Sequence, residues 1–99
     1  MKLKFEWDSA KAASNLKKHG IPFETATVAF LDPFALTEQD RIESGEIRWQ
    51  TLGRVEGFLL LLVAHTIRDQ ENDTEIIRII SARPATPKER RRYEQNCSL

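Results

Sequence analysis

The sequence has one cysteine, Cys97, so no intrachain disulfide can form and a reducing compartment is expected. Glycine and proline number four each and are scattered, which excludes a flexible or proline-rich linker. The longest strongly apolar run, Phe58 to Ala64, is seven residues, against about 20 for a membrane-spanning helix. The opening Met1-Lys2-Leu3-Lys4-Phe5 has no apolar stretch of the secretory kind. The expectation is a cytoplasmic protein with no membrane contact. Histidine is scarce as well: His19 and His65 stand 46 positions apart with no second ligand at helical spacing, so no zinc site is expected. A glycine-rich phosphate loop, a nucleophile elbow and a dinucleotide fingerprint are all missing, and no cofactor is expected.

A surplus of one charge is lacking too, with 15 Lys and Arg against 15 Asp and Glu. The neutral total argues against strong non-specific nucleic-acid binding. The distribution is uneven, however. Residues 1–20 carry five Lys against Glu6 and Asp8, residues 21–46 carry six carboxylates against Arg41, and the rest is again basic. Nine of the cations are Arg, the side chain suited to bidentate contact with phosphate or carboxylate. A local phosphate site, or an acidic partner that covers one, remains open. The 99 residues, 40% hydrophobic and 30% charged, suit one soluble domain over 1–99.

Residues 2–7 read as a short strand. Asp8 is a good N-cap for a helix over Ala10 to Lys18, and Gly20 after Lys17-Lys18-His19 is a good C-cap. Pro22 suits the start of a second helix, Phe23 to Leu31, ended by Asp32-Pro33. Strands follow over Phe34 to Asp40, Glu46 to Val55, Phe58 to Arg68 and Glu75 to Ala82, with turns at Glu56-Gly57 and Asp69 to Asp73. Thr86-Pro87-Lys88-Glu89 has cap, first-turn proline and capping-box Glu in place, starting a helix over Pro87 to about Gln95. The order β-α-α-β-β-β-β-α gives an α+β fold with an antiparallel meander.

Strand arithmetic then suggests a site. If the last hairpin pairs Arg68 with Glu75, His65 lies opposite Arg78. If the hairpin before it turns symmetrically at Val55-Glu56, Glu46 lies opposite His65 with Arg48 beside it on the same face. Glu46, Arg48, His65 and Arg78 would form one polar patch across three strands, offering an imidazole, guanidinium groups and a carboxylate for work on a phosphodiester. A one-residue slip scatters the set, and a cross-strand ion network with a half-buried His65 fits the same spacing. Arg68 and Arg83 share a face in this register but stand at opposite ends of the hairpin, on the order of 20 Å or more apart. Lys88, Arg90, Arg91 and Arg92 with Tyr93 offer a phosphate-facing strip with an aromatic for a base, or a solvated helix face.

The ordered set Phe5-Glu6-Trp7-Asp8, Lys11, Asn15, Lys18-His19-Gly20, Phe23-Glu24, Asp32-Pro33, Asp40, Gly45-Glu46, Arg48-Trp49, Gly53, His65-Thr66, Arg68-Asp69, Glu75, Ile77 to Arg83, Glu89-Arg90-Arg91 and Tyr93-Glu94 resembles the BrnT toxins, over about residues 5 to 94. The resemblance implies a RelE-like fold and a bacterial type II toxin that cleaves RNA and so inhibits translation. It implies a BrnA-like ribbon-helix-helix antitoxin in a hetero-oligomer, with operator DNA met only through that complex. It also implies that Arg68 and Arg83 are active-site arginines, followed by His65 for proton transfer and Tyr93 for base stacking or orientation, in a metal-independent reaction. Glu46, Arg48, Arg78, Arg90 and Arg91 would bind RNA or support the site. The other reading is a non-enzymatic module that docks the antitoxin and contributes to operator binding and autorepression.

Overall fold

A computed structural model of the protein describes residues 2–56 and 59–97. Its elements are β1 (Lys2–Glu6), α1 (Ser9–His19), α2 (Phe23–Thr27) with a 3-10 turn (Val28–Leu31), β2 (Leu36–Glu43), β3 (Glu46–Val55), β4 (Leu59–Gln70), β5 (Thr74–Pro84) and α3 (Pro87–Cys97). The expected order of strands and helices is the order found. The sheet runs β1-β5-β4-β3-β2. Strands β2 to β5 form the antiparallel meander, while β1 pairs in parallel with β5 and makes the sheet mixed.

Local chemistry explains the helix ends. Asp8 accepts from the Lys11 backbone N–H at 3.0 Å, and Gly20 closes α1 in the left-handed region at φ 73°. The Thr86 hydroxyl accepts from the Glu89 backbone N–H, and the Glu89 carboxylate accepts from the Thr86 backbone N–H, completing the capping box of α3. The expected second helix departs from the expectation. Thr25, Thr27 and Val28 crowd its middle with β-branched side chains, and the Thr27 hydroxyl donates back to the Glu24 carbonyl at 2.7 Å. The segment tightens from α2 into the 3-10 turn. An Asx turn, with Asp32 Oδ1 accepting from the Phe34 backbone N–H, delays β2 to Leu36.

Helix α1 takes the sheet edge beyond β1. There the Asn15 amide donates to the Ala82 carbonyl at 2.9 Å and its oxygen accepts from the Ala82 N–H at 3.1 Å, as a neighbouring strand would. On one face of the sheet, Phe23, Ala26 and Ala29 pack with Val55, Leu61, Val63, Ile77, Ile79 and Ala82. Gly53 permits a close approach, because a Cβ there would stand 2.2 Å from the Ala29 carbonyl oxygen. On the other face α3 covers only one end, with Tyr93 over Leu52, Leu60 and Leu62. The central strand β4 is thus apolar on both faces at its start, as its sequence predicts.

Candidate functional site

Two registers differ from the strand arithmetic, and they decide where every polar side chain points. In the β3–β4 ladder Val55 pairs with Leu59 and Trp49 with His65, which aligns Leu52 with Leu62 and Gly53 with Leu61. Apolar matching sets this register, three residues away from the expected one. The expected turn at Glu56-Gly57 lies partly outside the described residues. In the β4–β5 hairpin Gln70 pairs with Thr74, and Asn72 and Asp73 adopt φ of 65° and 56° in a three-residue turn. Asn and Asp tolerate that conformation, so the strands run further and the register slips by one.

The slips correct the expected patch. His65 now pairs with Trp49 and Ile79 and points to the helix-covered face. It is fully buried, hydrogen-bonded through Nε2 to the Thr51 hydroxyl at 2.8 Å, with its ring edge-on to Phe30 at 4.9 Å. Burial pushes its pKa down to about 4. His65 is a core residue, out of reach of a bound polymer. Thr66 takes its place on the opposite face, paired with Arg78. One step past the end of the β3–β4 ladder, Arg48 falls in the same row.

Alternation puts Arg48, Thr66, Arg68 and Arg78 on this open face, with Glu46 on the same side of β3. Glu6, opposite Arg78 on β1, joins them and contacts Arg68, Oε1 to Nη2, at 3.4 Å. Arg78 is exposed and has no side-chain partner among the described residues. Arg48 leans on Glu43 at 3.5 Å and is largely covered, and Thr66 is buried beneath this group. Past Trp49 the strands β3 and β4 separate around a cleft of about 570 Å³ lined in part by Glu46, Trp49, Thr66 and Asp69. The result is three guanidinium groups and two accessible carboxylates, Glu6 and Glu46, on a shallow surface, an arrangement able to hold a phosphodiester.

The other expected residues lie elsewhere. Arg83 pairs with Leu62, six residues from Arg68 along β4, or about 20 Å. A bulge between Ala64 and His65 turns it onto the open face. Its Nη1 and Nη2 donate to Glu89 at 2.9 and 3.0 Å, and Nη1 also donates to the Pro84 carbonyl. That pairing holds Glu89 down to about pKa 2. Tyr93 is buried rather than available to a base, and its hydroxyl donates to Asp32, with the Arg54 guanidinium 5.5 Å from its ring centre. Burial, followed by that bond, pushes the phenol pKa up. Burial alone would raise Asp32, but the Tyr93 hydroxyl and the Arg54 and Phe34 backbone N–H groups lower it overall. Arg90 is half-buried and Arg91 exposed on α3, while Arg92 pairs with Glu38 at 2.8 Å. Among the described residues no group of three or more His, Cys, Asp or Glu is placed to hold a metal ion, and no helix is long and apolar enough to cross a membrane.

A family model for the ribonuclease toxin BrnT of type II toxin–antitoxin systems matches residues 7–89. The chain belongs to the BrnT family. A crystal structure of the Brucella abortus ribonuclease toxin BrnT has the same fold, with a TM-score of 0.58 at 21% identity, covering 87% of this chain and 99% of that one. No curated protein matches in sequence. Several residues that carry the BrnT resemblance now have physical reasons: Asp8 caps α1, Asn15 seals the edge of β5, Gly53 admits Ala29, and Asp32 ties Tyr93 and Arg54 together. Strand arithmetic missed Glu6 and Thr66. The visible signal for Glu6 was its place beside Trp7 and Asp8 in the resemblance; nothing in local periodicity pairs β1 with β5.

Proposed function

We propose that this BrnT-family chain is a metal-independent endoribonuclease that inhibits translation by cleaving RNA, working in the cytoplasm on the open face of its sheet. The observation that carries the reading is the gathering of Arg48, Arg68 and Arg78 around Thr66 on an accessible surface, in a chain of a ribonuclease toxin family. Arg68 and Arg78 hold the reacting phosphate and stabilise the charge that develops as the ribose 2′-hydroxyl attacks it. Arg83 keeps one Nη2 proton beyond those given to Glu89. About 20 Å away, it meets a different phosphate of the same strand. Arg90 and Arg91 extend the positive field toward α3.

The partner in this reading is a BrnA-like ribbon-helix-helix antitoxin, which covers the open face in a hetero-oligomer and carries the operator contacts. The whole chain, 1–99, acts as one toxin domain. Incubating purified, antitoxin-free protein with RNA in EDTA, with and without ribosomes, tests the reading. Cleavage to 2′,3′-cyclic phosphate and 5′-hydroxyl ends supports it. Intact RNA in both settings, together with normal growth after induction, would leave a non-enzymatic antitoxin-docking module instead.

A further inference from the structure

Transfer of a phosphodiester to its own 2′-oxygen needs a group that takes the 2′-hydroxyl proton, and few side chains are placed to do so. His65 is inside the helix-covered core and engaged by Thr51. Tyr93 is buried and donates to Asp32. Glu89 is held bidentately by Arg83, and Glu43 is shared between Arg41 and Arg48 at 3.7 and 3.5 Å. His19 lies on α1 beside Lys11, Lys18 and Ser81, away from Arg68. Glu38, also on the open face, is paired with Arg92 at 2.8 Å. Two carboxylates then remain there: Glu46, where β3 and β4 separate, and Glu6, in direct contact with Arg68.

We propose that Glu6 is the general base of this site. The assignment rests on the ribonuclease reading above. Parallel pairing with β5 sets Glu6 in the row of Arg78, and its carboxylate reaches Arg68 while staying 41% exposed. It is thus accessible to a ribose whose phosphate lies on the two guanidinium groups. The charged groups facing it are Arg78 on β5, Arg68 on β4, and Lys4 two residues back on the same side of β1; among the described residues no helix covers this part of the face. Glu6 takes the proton as the 2′-oxygen bonds to the adjacent phosphorus. The P–O5′ bond breaks, the 5′-oxygen leaves with a proton from water, and Glu6 returns its proton to solvent. The single-pair contact at 3.4 Å, rather than a bidentate clamp, leaves the carboxylate free to exchange Arg68 for a hydroxyl.

The test compares wild type, Glu6→Gln, Glu6→Asp and Glu46→Gln on one single-stranded RNA oligonucleotide across pH. Glu6→Gln is expected to lower kcat about 100-fold or more with KM within about twofold. It should also abolish the fall in kcat/KM on acidification, which Glu6→Asp retains at a reduced rate. A residue that only positions Arg68 would leave that acid limb in place. Thermal unfolding of each variant within about 3 °C of wild type confirms that an exposed edge-strand change has not altered folding. Full activity of Glu6→Gln, a persisting acid limb, or a loss confined to Glu46→Gln overturns the assignment while the ribonuclease reading stands. A wild type that leaves the RNA intact overturns both.

Discussion

The two faces of one sheet are built from neighbouring residues of the same strands and do opposite work. Thr66, Arg68 and Arg78 alternate with His65, Ile67, Ile77 and Ile79, and each shift of one position moves a side chain from the open face to the packed core. On the covered face the polar groups, Thr51 and His65, bond to each other beneath Phe30. On the open face Arg68 and Arg78 stand in water with one weak carboxylate contact, from Glu6. His65 and Arg68, three residues apart in sequence, thus lie on opposite faces, one buried and one exposed.

The largest expected effect breaks the comparison from the open side. Arg68→Ala with Arg78→Ala should reduce RNA cleavage about 1,000-fold or more, while a thermal melt stays within about 2 °C of wild type. From the covered side, Gly53→Ala drives a methyl group into the Ala29 carbonyl. Urea denaturation should show a loss of about 3 kcal/mol or more, with cleavage per folded molecule retained.

Acid sharpens the same contrast. The fold holds His65 neutral, with a pKa of about 4 against 6.5 when unfolded. Its contribution is therefore complete above about pH 6.5 and is lost progressively as pH falls to about 4, up to roughly 3 kcal/mol. Unfolding free energies across that window should show the slope in wild type and its disappearance in His65→Gln. The smallest effect lies between the faces, at the latch that ties α3 to β5. A double-mutant cycle of Arg83→Ala and Glu89→Ala should give a coupling of about 1 kcal/mol at neutral pH. Because Glu89 is depressed from 4.5 to about 2, that coupling is complete above about pH 4.5 and fades as pH falls toward 2.

Much of this was legible in the sequence because its chemistry is local. Asp8 and Gly20 marked both ends of α1, Thr86 to Glu89 spelled the start of α3, and alternation at Ile47, Trp49 and Thr51 marked β3. What escaped depends on contacts that sequence spacing does not encode. An odd-length turn closed by Asn72 and Asp73 shifted Arg78 from the side of His65 to that of Arg68. The bulge on β5 then turned Arg83 outward a second time. The expected polar patch kept Arg48, Arg78 and the side of Glu46, and lost His65. Tyr93 looked like a stacking platform only because its basic neighbours are visible in sequence and the Leu52, Leu60 and Leu62 beneath it are not.

The parallel strand at the sheet edge also makes the open face a long-range closure. Glu6 and its row partner Arg78 are separated by 72 positions and by every element from α1 to β4. Strand β1 meets the sheet only through β5, so without β5 nothing seats Glu6 beside Arg68. Closing so long a loop is entropically dearer than closing the hairpins of the meander, so the group of Glu6, Arg68 and Arg78 depends on the most distant pairing in the sheet.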